Sequence, residues 1–267
     1  MLKRILTAII LLVVVYVLLF QLTPHAFQWV SAVMLLWAAW EWSLFLQAQF
    51  KWRLGLVALV ALGVVGAYFS PIFLPLGLAC LFWLWALVGT VFWAGRESSH
   101  AAGLSHPVAI GAFAVVALPA FWIGVNVLRM ANIGPLLLLF VFALVWMVDI
   151  GGYFVGSRFG KHLLAPRVSP GKTWEGFFGG ILLSLLLAVG VMLWLGASSH
   201  ELLSLLPQVL VTALFAVLGD LFESLLKRQA KLKDVGNILP GHGGFLDRID
   251  SSLAAIPVFT LLSLLSS

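Results

Sequence analysis

The stretch "GVVGAYFSPIFLPLGLACLF", residues 63–82, decides how the chain crosses a bilayer. Read as one apolar run it is a single long span; read with a break at Ser70 and Pro71 it is the end of one span and the start of the next. The run before Pro71 is short and the proline separates it poorly from the run that follows, so the local sequence leaves both readings open. The choice sets the side on which every later loop lies. With the break, apolar runs of spanning length, about 20 residues, fall at 5–22, 27–46, 54–69, 71–94, 107–128, 134–157, 174–196, 206–226 and 251–266.

Basic residues test this count, because cytoplasmic loops concentrate Lys and Arg. With nine spans and the N-terminus inside, all of the 15 basic residues except Arg129 fall on the cytoplasmic side. Merging the third and fourth spans would put the two richest basic loops outside. The expected fold is therefore all-α: a polytopic integral membrane protein of about nine transmembrane helices with a cytoplasmic N-terminus. The composition agrees, with 63% apolar residues, 9% charged residues and a mean hydropathy of +1.12. The first run follows Lys3 and Arg4 as a signal peptide would, but it is long and no A-x-A site follows, so it too is expected to be a span. The net charge of +5 reflects orientation and not nucleic-acid binding, and it suits a surface facing anionic headgroups. The single Cys80 excludes both a disulfide framework and a cysteine metal site.

The two halves differ in kind. Residues 1–130 are apolar spans with short connections and read as a scaffold. Residues 131–267 carry two polar cytoplasmic stretches, 157–175 and 227–250, where chemistry is expected. Five of the ten acids, Asp220, Glu223, Asp234, Asp247 and Asp250, lie within 220–250, and orientation rules give no reason for acids there. Glu41, Asp149 and Asp220 precede the inner ends of three different spans by a depth of roughly 8–12 Å at helical rise. Carboxylates at such positions are costly and usually face the bundle interior for a functional reason.

In "GDLFESLLKRQAKLKD", residues 219–234, Asp220, Glu223 and Lys227 share a helix face and Arg228 lies beside them. Glu223 and Lys227 also fit an ordinary i,i+4 surface pair. In "PGHGGFLDRID", residues 240–250, glycines around His242 make a tight turn that lets backbone approach a ligand, and Asp247 and Asp250 at i,i+3 point the same way if a helix starts there. Carboxylates without a cysteine partner make a hard, oxygen-rich site that suits Mg²⁺, and the neighbouring Lys and Arg suit phosphate. "PGKT" at 170–173 is not a Walker A loop: Pro166 stands where its first glycine belongs, and no strand is expected before it. Ser169, Lys172 and Thr173 remain phosphate-binding residue types just ahead of a helix N-terminus. The glycines of "GGYFVG", 151–156, miss the dinucleotide pattern and fit a close helix contact. Together these features indicate Mg²⁺-dependent phosphoryl or nucleotidyl transfer at the inner membrane surface.

"SLLKRQAKLKDVGNILPGHGGFLDRID", Ser224 to Asp250, resembles the signature of the phosphatidate cytidylyltransferases: S-x-x-K-R, four residues, K-D, then P-x-H-G-G-x-x-D-R-x-D. "DIGGYFVG" and "SPGKTWEG" are similar to the family's accompanying segments, except that Gly152 stands where Ala is expected and Gly171 where Lys is usual. The resemblance covers 149–250. It implies a bacterial inner-membrane enzyme that takes CTP and phosphatidic acid to CDP-diacylglycerol and pyrophosphate with Mg²⁺, with no nucleic-acid partner; a homodimer is compatible with it. In this reading Asp220 and Asp247 hold Mg²⁺ with Asp250 and Glu223 as further ligands or orienters, and Lys227, Arg228, Lys233 and Arg248 clamp phosphates. Asp149, Ser169, Lys172, Thr173, Asp234, His242, Gly243 and Gly244 complete the substrate pocket. Two rivals are a cytidylyltransferase for another lipid phosphate and a cation-coupled transporter. The sequence lacks the D-G-x-x-A-R pattern of CDP-alcohol phosphotransferases.

Overall fold

A computed structural model describes residues 10–95, 106–238 and 243–266. A short apolar helix α1, Ile10–Gln21, leads into α2, Pro24–Trp42, which Thr23 caps by accepting the Ala26 N–H at 3.2 Å. A 3-10 turn, Ser43–Leu46, continues α2 and ends at Gln47 in the left-handed region, φ 48°. Then come α3, Phe50–Phe69, and α4, Phe73–Gly95, parted around Ser70 and Pro71 as the nine-span count expects. The remaining helices are α5, Pro107–Met130, α6, Gly134–Phe159, α7, Trp174–Trp194, α8, Ser199–Gln229, and α9, Leu246–Ser266. Among the described residues, eight helices are long and apolar enough to cross a membrane, at the positions of eight of the nine expected spans. The first expected span, 5–22, is described only from Ile10.

One local element corrects the sequence reading. Leu163–Ala165 and Ser169–Thr173 form an antiparallel hairpin, β1 and β2, so the "PGKT" segment is itself a strand with another strand before it. It is still no P-loop: β2 passes straight into α7, with Thr173 as N-cap accepting the Gly176 N–H at 3.1 Å.

α5 and α9 are the enclosed helices, with 67% and 61% of their spanning windows buried against 11% for α3. Lipid offers no hydrophobic drive for helices to associate, so contact depends on small residues and interhelical hydrogen bonds. Both occur here. A Cβ at Gly124 of α5 would lie 3.0 Å from Ile256 of α9, and one at Gly63 of α3 would lie 2.9 Å from Pro119 of α5. Gln208 donates to the Phe259 carbonyl across α8 and α9 at 3.0 Å, and Ser184 to the Leu144 carbonyl across α7 and α6 at 3.0 Å. Rings of Trp42, Trp83, Phe113 and Phe222 lock α2, α4, α5 and α8 together, with Phe113 and Phe222 centroids 4.5 Å apart. Phe222 thus anchors α8 between two acidic residues, Asp220 and Glu223.

Candidate active site

α6 and α7 meet through glycine. A Cβ at Gly176 would lie 2.6 Å from the Gly152 carbonyl oxygen and 3.1 Å from Gly156 Cα, and one at Gly151 would lie 2.8 Å from the Gly179 carbonyl oxygen. The "GGYFVG" glycines therefore make the close helix contact that their spacing suggests. The approach brings Asp149 of α6 alongside the hairpin and the start of α7. On the other side, Gly219 lets α9 lie against α8: a Cβ there would overlap the Asp250 carbonyl oxygen and sit 3.1 Å from Ser251 Cα. Asp220 and Asp250 thereby come to the same place from two helices.

Between these pairs lies a cavity of about 470 Å³, within the range of small-molecule sites. Its polar wall is Asp149, Lys172, Thr173, Asp220, Lys227, Asp234, Asp247, Arg248 and Asp250. Its apolar wall is Val148, Tyr153, Leu164, Phe177 and Val217, and Tyr153 is also 72% exposed on the outer surface of α6. Lys172 is ion-paired with Asp220, tying the hairpin to α8. Lys227 reaches Glu223 Oε1 at 2.9 Å and Asp247 Oδ1 at 3.0 Å. The Glu223–Lys227 pair is buried and not a solvated surface pair: the side chains are only 3% and 16% exposed. Asp247 Oδ2 accepts the N–H groups of Val235 and Gly244 at 3.0 and 2.8 Å, so this carboxylate fastens the preceding loop onto the first turn of α9. Gly243, at φ 80°, is needed there because a Cβ would stand 2.6 Å from Asp247 Oδ2.

The structure divides the sequence candidates. Asp149, Lys172, Thr173, Asp220, Lys227, Asp234, Asp247, Arg248 and Asp250 line the cavity. Ser169, Glu223, Arg228, Lys233, Gly243 and Gly244 do not. Glu223 lies behind Lys227; Arg228 donates from Nε to the Val168 carbonyl at 3.2 Å and holds the hairpin; Lys233 is exposed. Gly243 and Gly244 back Asp247, Ser169 begins β2, and His242 lies outside the described residues. Sequence reasoning missed Tyr153, Phe177, Val217 and Gly219. Helical spacing from Asp149 points to Tyr153, whereas Gly219 has no sequence signal besides its place beside Asp220. At Gly152 a Cβ would lie 3.7 Å from the Gly176 carbonyl oxygen, an ordinary contact, so the family's alanine would fit. At Gly171 the space is open, so this chain lacks a cation that the site has room for.

The charge balance bears on metal binding. Five carboxyl groups line the cavity against three cations. Asp149, Asp220 and Asp250 bring three of these carboxyl groups to one cavity from three helices. Among the described residues no three such groups form a preformed metal cage. Mg²⁺ commonly takes one or two carboxylates and completes its shell with water and substrate phosphate, and Asp220 and Asp250, brought together where Gly219 meets the Asp250 carbonyl, are carboxylates of that kind.

A bundle of spanning helices enclosing a carboxylate- and lysine-lined cavity beside an apolar wall has the parts that a membrane-embedded transferase acting on phosphate groups requires. Within that class, the chain belongs to the cytidylyltransferase family, whose family model matches residues 2–265. A phosphatidate cytidylyltransferase of Pseudomonas aeruginosa is 40% identical over 97% of this chain and 96% of its own length. One of Haemophilus influenzae is 35% identical over the same shares of the two chains. One of Staphylococcus epidermidis is 46% identical, but over 47% of this chain and 48% of its own.

Proposed function

We propose that the protein transfers CMP from CTP to phosphatidic acid, giving CDP-diacylglycerol and pyrophosphate, at the cytoplasmic face of a bacterial inner membrane. The observation that carries the reading is the cavity with a charged wall suited to a triphosphate and an apolar wall suited to a lipid. Full-length likeness to relatives named phosphatidate cytidylyltransferase supports the choice of substrates. A phosphate oxygen of phosphatidate attacks the α-phosphorus of CTP; the bond from that phosphorus to the α,β-bridging oxygen breaks, and pyrophosphate leaves with the electron pair. The nucleophile is already anionic, so no strong general base is needed. The difficulty is bringing two anions together, which positioning and charge neutralisation address.

Lys172, Lys227 and Arg248 come from the hairpin, α8 and α9, and would meet phosphate oxygens from three directions. Asp220 and Asp250, with Asp149 beside them, would hold Mg²⁺, which when bound neutralises phosphate charge and draws on the leaving group. Asp247 serves a different end in this reading, since three donors already occupy its oxygens: it sets the position of Lys227 and of the loop. The acyl chains of phosphatidate would leave past Tyr153 and Phe177. The helices before residue 130 form the scaffold.

The test is conversion of cytidine-labelled CTP into an organic-soluble lipid by the purified protein with phosphatidate and Mg²⁺. Absence of a CTP-dependent lipid product refutes the proposal, and a strong preference for another lipid phosphate in competition would move it to the sister reaction.

A further inference from the structure

Glu41 was expected to share the depth of Asp149 and Asp220, yet it does not line the cavity. It is 2% exposed at the inner end of α2, and both of its oxygens are engaged. Oε2 accepts the Leu246 N–H, the residue that opens α9, at 2.7 Å; Oε1 accepts Trp37 Nε1–H at 3.0 Å. Two glycines of the loop between α8 and α9 pack on the same carboxylate: a Cβ at Gly236 would stand 2.5 Å from Oε1, and one at Gly244 would stand 2.7 Å from Oε2. The negative charge lies at the positive end of the α9 dipole and satisfies one of its unpaired first-turn donors. Six residues on, Gln47 donates from Nε2 to the Ala230 carbonyl, just past the end of α8, at 2.9 Å. The end of α2 and the 3-10 turn after it therefore grip both ends of the connection from α8 to α9, beside which Lys227, Asp247, Arg248 and Asp250 line the cavity.

We infer that Glu41, seconded by Gln47, is a positioning residue for the transfer reaction: it clamps the N-terminus of α9 so that Arg248 and Asp250 face the cavity and Asp247 meets Lys227. The inference rests on the reaction proposed above for its kinetic consequence but not for its structural one. Glu41→Gln keeps size and shape, yet an amide offers one acceptor oxygen to two donors and turns an NH₂ group against the other. Hydrogen exchange, measured without substrate, should rise about ten- to hundredfold in 231–238 and 243–250 while α4 and α5 stay at wild-type protection, the factor of a lost charge-assisted hydrogen bond. The rate of CTP-dependent lipid formation should fall by a similar factor in kcat, with the KM for CTP little changed. Adding Trp37→Phe removes the competing donor, so the double variant should recover most of the local protection and of kcat, a rescue that general destabilisation would not produce. Unchanged exchange in 231–238 and 243–250, a rise spread evenly over the bundle, or no rescue overturns the inference. If the wild type makes no lipid product, the proposed reaction fails, while the exchange result still decides whether the clamp exists.

Discussion

A methyl group at Gly219 should disable the enzyme without touching a reacting atom. The Gly219→Ala Cβ would overlap the Asp250 carbonyl oxygen and lie 3.2 Å from its carbonyl carbon and 3.1 Å from Ser251 Cα, all backbone atoms that no side-chain rotation can clear. Carbon atoms settle at about 3.5–4.0 Å, so α9 must retreat from α8 by roughly 1 Å at this level. The overpacking should cost about 1–3 kcal/mol of stability. The functional loss should be larger in proportion, because the same shift separates Asp250 from Asp220; misplacing reacting groups by 1 Å costs about a hundredfold in rate. The assay pairs thermal unfolding in detergent with the initial rate of CTP-dependent lipid formation. Gly190→Ala, where a Cβ meets nothing within 4 Å, controls for the added methyl in a spanning helix. Gly219→Ala activity within a few-fold of the Gly190→Ala control would refute the claim that this contact sets the site.

Other perturbations separate charge from geometry. Lys227→Met leaves Glu223 and Asp247 buried beside each other without their shared cation, and should cost about 3–5 kcal/mol in a thermal or denaturant melt; adding Glu223→Gln should restore part of the stability and none of the turnover. A chelator should abolish lipid formation and Mg²⁺ restore it, and Asp220→Asn should raise the Mg²⁺ needed for half-maximal rate by about tenfold or more in a metal titration. Gly171→Lys enters open space at the cavity wall and should lower the KM for CTP by about two- to fivefold in steady-state kinetics, the scale of one partly solvated ion pair.

Much of the fold is legible in the chain, because lipid solvent imposes a simple rule on composition. The expected spans 107–128, 134–157 and 174–196 match α5, α6 and α7 to within two residues at each end. Where the reading fell short, the cause is that hydropathy reports only the lipid-buried part of a helix. α8 begins at Ser199, ahead of the expected 206, behind a capping box between Ser198 and Glu201, and α9 begins at Leu246, so Asp247 and Asp250 are helical. The hairpin was hidden because β1 is three residues long and β2 carries Pro170 and Gly171. In the site, the Ser224 to Asp250 motif names the residue types, but their division of labour needs three dimensions. Asp220 and Lys227 are on one helix face yet pair with Lys172 and Asp247 from elsewhere, and Glu41 reaches Leu246 across more than two hundred residues of chain. Spacing within one helix carries no information about such partners.

The central claim is that this cavity moves a cytidylyl group, and not another phosphate, onto a lipid. CTP labelled at the α-phosphorus and CTP labelled at the γ-phosphorus, each incubated with the purified protein, phosphatidate and Mg²⁺, test it directly. The account predicts that the α-label enters the organic-soluble lipid while the γ-label leaves as water-soluble pyrophosphate in equal amount. Label from the γ-position in the lipid, or hydrolysis of CTP with no labelled lipid at all, would contradict it.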